Sequence, residues 1–140
     1  MKKVAVVYWS GTGNTEVMAN AVVEGIQTAG AEAELFTASA FDVSKMDEYD
    51  AVAFGCPSMG AEQLEDTEFE PMFQDCGSKL SGKKIALFGS YGWGDGEWIR
   101  NWESTCRDDG AVLVSDSVIC NDAPDDDVIE VCKNLGASLV

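Results

Sequence analysis

The sequence contains no histidine. Catalysis by imidazole is therefore excluded, and serine–histidine hydrolysis and histidine metal sites go with it. Basic residues are scarce as well, 9 lysines and arginines against 25 aspartates and glutamates, for a net charge of −16. A field of that sign repels nucleic acid and anionic membranes; it keeps the chain soluble and attracts basic protein surfaces. The five cysteines, Cys56, Cys76, Cys106, Cys120 and Cys132, include no CxxC pair. That spacing fits neither a zinc site nor an iron–sulfur run. Their odd number and the lack of a signal peptide predict reduced thiols in a cytoplasm, most of them small core residues. No apolar run approaches the roughly 20 residues of a membrane span. What is present is 140 residues with a 46% apolar fraction, enough for one domain over 1–140 with a real core.

Near the start, the β-branched run Val4-Ala5-Val6-Val7-Tyr8 ends in Trp9-Ser10-Gly11-Thr12-Gly13-Asn14-Thr15, and a helical pattern follows at once. Glycines let the backbone approach a ligand and turn its N–H groups inward, and the following helix adds free donors and the positive end of its dipole. The hydroxyls of Ser10, Thr12 and Thr15 supply more donors, and no lysine or arginine interrupts the loop. The P-loop pattern fails because no lysine follows the second glycine. The dinucleotide fingerprint fails at Glu16, which stands where a third glycine belongs and would face a pyrophosphate. A single terminal monophosphate suits this neutral socket better, the plain alternative being an ordinary polar turn.

The chain then alternates. Strands are predicted over residues 3–8, 32–37, 51–56, 84–89 and 111–119. Helices are predicted over 14–29, 69–77, 98–109 and 126–139, with at most a short helix in 41–49. Met18, Ala21, Val22, Gly25, Ile26 and Ala29 mark the buried face of the first helix, Gly30 its C-terminal stop, and Asp125 to Asp127 the N-terminal capping of the last. Alternating strand and helix imply an α/β fold, a doubly wound parallel sheet with helices on both faces and right-handed crossovers. Ligands in such sheets bind beyond the carboxyl ends of the strands, at the switch point of strand order. Three loops meet that condition, 9–15, 56–62 and 89–96. The second offers Met59 beside Gly60, and the third Trp93 between Gly92 and Gly94. A tryptophan flanked by glycines has no packing neighbours of its own, so stacking on a planar ligand is its best use, a partner contact or a fold-back being the alternative. Monophosphate at one end and a stacking platform at the other describe a mononucleotide-like ligand with a broad ring. Flavin mononucleotide (FMN) fits that description more readily than a common nucleotide.

Over its whole length the chain resembles the flavodoxins, specifically the short-chain ones. The resemblance rests on Ser10, Thr12, Gly13 and Thr15 in a phosphate loop, on Met59-Gly60 with Glu62, on Glu68-Phe69-Glu70-Pro71, and on the tract Ala86 to Gly96. It implies a five-stranded sheet of order 2-1-3-4-5, FMN as cofactor and electron transfer as function. It also implies roles. Ser10, Gly11, Thr12, Gly13, Asn14 and Thr15 would hold the phosphate under Trp9. Met59, next to Ser58, would sandwich the isoalloxazine with Trp93. Glu62 would accept from flavin N3–H. Backbone groups of Ser90, Tyr91 and Gly92, in the loop that continues through Gly94 and Asp95, would meet the carbonyl edge of the ring. Cys120 and Asn121 would pack near the ribityl chain and ring edge. The Gly60 carbonyl would turn toward N5–H on one-electron reduction, favouring a neutral semiquinone, while the surrounding acids disfavour the anionic hydroquinone. The second potential is then very low, and the protein shuttles one electron to basic redox partners such as ferredoxin- or flavodoxin-dependent reductases and oxidoreductases, as a monomeric carrier and not an enzyme.

After that turn of Gly60, the next residue needs a positive φ, which Ala61 tolerates worse than glycine, asparagine or aspartate, at a cost on the order of 1 kcal/mol or roughly 40 mV for one electron. Ala61→Gly is therefore expected to raise the first potential by tens of millivolts. Two rivals remain. A phosphorylatable receiver domain needs acids after strand one, an aspartate after strand three and a lysine after strand five, where this chain has Trp9-Ser10, Cys56 and Asn121. An FMN-dependent reductase using NAD(P)H on the same fold would need cations for the nucleotide phosphates, and the arginines available are Arg100 and Arg107.

Overall fold

In the computed structural model, which describes residues 2–140, strand β1 (Lys3–Tyr8) is apolar at every position from Val4 because both faces of it are covered. Ala5 and Val7 pack into one core cluster, Val4, Val6 and Tyr8 into the other. β3 (Ala51–Gly55) and β4 (Lys84–Tyr91) divide in the same way, Val52, Phe54, Ile85 and Leu87 to one side, Ala51, Ala53, Ala86 and Phe88 to the other. Such continuous apolar runs are what a central parallel strand requires.

The first cluster is closed by α2 (Phe69–Cys76) and α3 (Glu97–Asp108), through Phe69, Phe73, Trp98 and Trp102. The second is closed by α1 (Asn14–Thr28) and α4 (Asp126–Ala137), through Met18, Val22, Ile26, Cys132 and Leu135. With β2 (Glu32–Thr37) at one edge, the sheet runs β2-β1-β3-β4-β5, every pairing parallel. The predicted order and layering are those observed.

Boundaries follow local chemistry. Gly30 adopts φ +95° just after α1 and donates to the Gln27 carbonyl at 3.0 Å, the glycine stop expected there. Asp125 caps α4 by accepting from the Val128 N–H at 2.9 Å. Ala29 ends exposed rather than on the buried face of α1. Within 41–49 the short helix is 3₁₀, Val43–Glu48, and a further 3₁₀ turn, Ala38–Ala40, precedes it. The fifth strand is two pieces, β5 (Val112–Leu113) and β6 (Val118–Asn121), both paired with β4. Ser115, Asp116 and Ser117 separate them; Ser117 turns its hydroxyl to Glu103 on α3, and Ser115 bonds the Asp116 carbonyl. Short polar side chains that bond locally compete with the ladder.

Candidate functional site

Between β1 and α1 the chain crosses residues 9–13, with Gly13 at φ +98° as the N-cap of a helix that has no side-chain cap. The Gly13 N–H is taken by Ser10 Oγ at 2.9 Å. The amides of Ser10, Gly11, Thr12, Asn14 and Thr15 donate to no protein group among the described residues. Five unpartnered donors on one loop, with a helix N-terminus behind them, are a receptor for an anion with several oxygens. The loop forms one wall of an open cleft of about 570 Å³ of empty space. No lysine or arginine lines that cleft, so the anion would be held by dipoles alone.

The wall is firmly backed. Thr15 is buried, its hydroxyl 3.4 Å from both the N–H and the Oγ of Ser90 on β4. The Trp9 ring lies over Gly11 so closely that a Cβ there would stand 3.1 Å from it. Glu16, the acid one turn into α1, accepts from the Tyr8 hydroxyl at 2.7 Å. That bond, with burial and the carboxylate charge, pushes the Tyr8 phenol above its ordinary range.

The opposite wall comes from the loops after β3 and β4. The Ser58 N–H donates to the Ser90 carbonyl at 3.0 Å, continuing the β3–β4 pairing past the sheet. The Tyr91 carbonyl is taken by the Asp122 N–H at 2.8 Å and by Asn121 Nδ2 at 3.4 Å, and the Gly92 amide has no protein acceptor among the described residues. Beside these backbone groups, Met59 is 38% and Trp93 63% exposed. By contrast Trp98 is buried, its indole N–H donating to the Cys56 carbonyl at 3.0 Å, and Trp102 is packed edge-on against Phe69 and Phe73. Trp93, and Trp9 in the cleft wall, are thus the tryptophans the packing leaves for a ligand.

Of the residues singled out in the sequence, Trp9, Ser10, Gly11, Thr12, Asn14 and Thr15 line the cleft on one side. Ser58, Met59, Ser90, Tyr91 and Gly92 line the other. Gly60, Ala61, Glu62, Trp93, Gly94 and Asp95 stand outside the lining, in the two loops that continue from it. Cys120 faces away, with Sγ 3.7 Å from Met18 Sδ in the α1–α4 core, and burial pushes its thiol up to about 11. Asn121 is exposed. The residue that reaches the cleft from β6 is Asp122, held at φ +59° with a carboxylate oxygen near Gly92, and Pro57 joins it from the β3 loop. Neither was singled out in the sequence. For Asp122 the signal was the turn composition Asn121-Asp122-Ala123-Pro124, since Asp tolerates the left-handed region.

The β3 loop closes on itself at Met59 and Gln63, which exchange backbone bonds of 2.8 and 2.9 Å. Within this hairpin Gly60 (+53°) and Glu62 (+54°) have positive φ, and Ala61 does not. In this arrangement no strain falls on Ala61. Beyond the hairpin, Glu65 is a buried carboxylate that accepts from the Glu68 N–H (2.7 Å), the Phe69 N–H (2.8 Å), the Thr67 N–H (2.9 Å) and the Thr67 hydroxyl. Burial is the largest single influence and opposes its ionisation, but the Thr67 hydroxyl and the three amides together outweigh it and hold the carboxyl below its usual range. The same residue's N–H donates to Cys56 Sγ at 3.4 Å, which ties the start of α2 to the end of β3.

Among the described residues no group of acids and cysteines is placed to hold a metal ion, and no helix is long and apolar enough to cross a membrane. All five cysteines are buried and free. The family model described as Flavodoxin matches residues 6–135. A flavodoxin of Megasphaera elsdenii is 45% identical over 133 residues, covering 95% of each chain. One of Clostridium beijerinckii is 43% identical over 133 residues, covering 93% of this chain and 96% of the other. The solution structure of two-electron reduced Megasphaera elsdenii flavodoxin matches with a TM-score of 0.89 at 46% identity, over 97% of both chains.

Proposed function

The chain belongs to the flavodoxin family, and we propose that its cleft holds FMN between Met59 and Trp93 and passes single electrons at low potential to basic redox proteins. It is an FMN-binding electron carrier. The observation that carries the assignment of residues is the set of unpartnered amides at Ser10, Gly11, Thr12, Asn14 and Thr15, next to two exposed apolar side chains on the opposite loops. The residues present fit the cofactor. Five amides and three hydroxyls match the oxygens of a terminal phosphate, and the Gly92 amide and Met59–Trp93 pair match a flat ring with a polar edge.

When bound, FMN supplies the redox chemistry. The protein's part is to hold the phosphate end by neutral donors, to cover the ring on both sides, and to leave one edge open to a partner. The second negative charge on a reduced ring would face no cation in the cleft, whose lining carries the Asp122 carboxylate, in a chain of net charge −16, so the second electron enters at low potential. The chain acts as a carrier and not as a catalyst on its own substrate. Arg100, one of the two arginines available to a nucleotide phosphate, is bound to the Asp95 carboxylate at 2.9 Å. A cytoplasmic monomer suits a carrier that must present its flavin edge to different proteins.

Titrating the apoprotein with FMN and with riboflavin tests this reading. FMN is expected to bind one to one and at least about a hundredfold more tightly than riboflavin, because five amides otherwise stay unpaired. Equal affinity for the two would remove the phosphate role of residues 10–15.

A further inference from the structure

The carboxylate of Glu62 reaches across from the Met59 hairpin to the start of α3. Its Oε1 accepts from the Asp95 N–H at 3.3 Å and from the Glu97 N–H at 3.2 Å, residues 33 and 35 positions away in sequence. Helix α3 needs this. Its N-cap is Gly96, at φ +96°, with no side-chain cap of its own. Glu62 itself sits at φ +54°, a region a non-glycine residue enters only when its surroundings hold it there. Gly94 makes the seat. At φ +89° it faces the carboxylate, and a Cβ there would stand 2.3 Å from Glu62 Oε1. Arg100 draws the neighbouring Asp95 carboxylate aside, with bonds of 2.9 Å to Asp95 Oδ1 and to the Asp95 carbonyl, so the amides of 95 and 97 are left to Glu62. The second oxygen, Glu62 Oε2, makes no hydrogen bond among the described residues.

We infer that Glu62 is a positioning residue that clamps the Met59 hairpin to the Trp93 loop, fixing the gap between the two ring-covering side chains before FMN arrives. One oxygen caps α3 from outside the helix. The other makes no hydrogen bond among the described residues, so a ligand can engage it without breaking the clamp, which then persists in the loaded protein. This second half rests on the FMN reading; the first half does not. Met59 and Trp93 are not held in the core, being 38% and 63% exposed, so their separation depends on how their loops are tied together. The backbone bonds within the hairpin tie Met59 to Gln63, not to the Trp93 loop. Glu62 is the bridge between them.

Amide hydrogen exchange of the apoprotein, read residue by residue by NMR, tests the clamp without any flavin. The Asp95 and Glu97 amides, one just before α3 and one at its first position, both on exposed residues, are expected to exchange about tenfold more slowly in the native chain than in Glu62→Ala. Glu62→Gln, which keeps an acceptor and loses the charge, should restore part of that protection. Gly94→Ala leaves Glu62 in place but blocks its seat, and should speed exchange at both amides much as Glu62→Ala does. Equal exchange in the native chain and Glu62→Ala would overturn the clamp. A second measurement addresses the free oxygen. On adding FMN, protection of both amides should persist, whereas its loss would show the carboxylate leaving α3 and overturn the two-oxygen arrangement. Failure of FMN to bind at all would instead sink the cofactor reading and leave the apoprotein result standing.

Discussion

Trp93 and Glu65 illustrate two opposite ways in which a single residue serves this protein. Trp93 gives the fold almost nothing, since most of its surface is in water. Trp93→Ala should therefore leave apoprotein stability within about 0.5 kcal/mol of the native chain. It should weaken FMN binding by about 1–3 kcal/mol, roughly 5- to 150-fold in Kd, the usual worth of stacking a flat ring on an indole. Fluorescence titration and thermal melts of the same variant separate the two effects. Glu65 is invested the other way. Its carboxylate is buried and satisfied by four donors from Thr67, Glu68 and Phe69. With the folded-state pKa depressed, the stabilisation is fully present above the unfolded value of about 4.3 and is lost as pH falls through the lower folded value. Glu65→Gln is expected to cost about 1–3 kcal/mol at pH 7, and the difference from the native chain should shrink on acidification below about pH 4. Denaturant melts across that range check it. A gap that stays constant with pH would mean the carboxylate charge is not what holds the loop.

At the scale of elements, the tightest contact is between α1 and α4, where backbones touch through glycine. A Cβ on Gly25 would lie 1.9 Å from the Lys133 carbonyl oxygen, and one on Gly136 2.2 Å from that of Val22. Backbone atoms cannot swing aside as a side-chain tip does. Gly25→Ala and Gly136→Ala should each destabilise the fold by about 1–3 kcal/mol or more, although alanine is the better helix former. A raised melting temperature in either would contradict this packing. These elements also show what was legible in the sequence. β1, β3 and β4 declared themselves through unbroken apolar runs, and the open loop after β1 through its glycines and hydroxyls, because local composition alone determines both. The break between β5 and β6 was not legible. It arises where Ser117 finds Glu103 on α3, a contact between residues 14 positions apart that no local pattern displays. The resemblance places Cys120 and Asn121 at the cleft, yet Cys120 turns into the core against Met18, and Asp122, at φ +59° just past β6, lines the cleft instead. The cap that Glu62 provides to α3 likewise joins distant loops and has no sequence signature.

For the molecule as a whole, charge and topology act together. The parallel order β2-β1-β3-β4-β5 brings the loops after β1, β3 and β4 to one end of the sheet, and that end is the cleft. With a net charge of −16, association with a basic partner should be fast at low ionic strength. Its rate should fall at least about tenfold between roughly 0.01 and 0.5 M salt, as stopped-flow electron transfer to such a partner would report. A rate indifferent to salt would mean that the charge serves solubility alone. Whether this cleft makes FMN a one-electron carrier is decided by an anaerobic potentiometric titration of the FMN-loaded protein. Two separate one-electron steps are expected, the second displaced well below the potential of free FMN. A single two-electron step near the potential of the free cofactor would contradict that expectation.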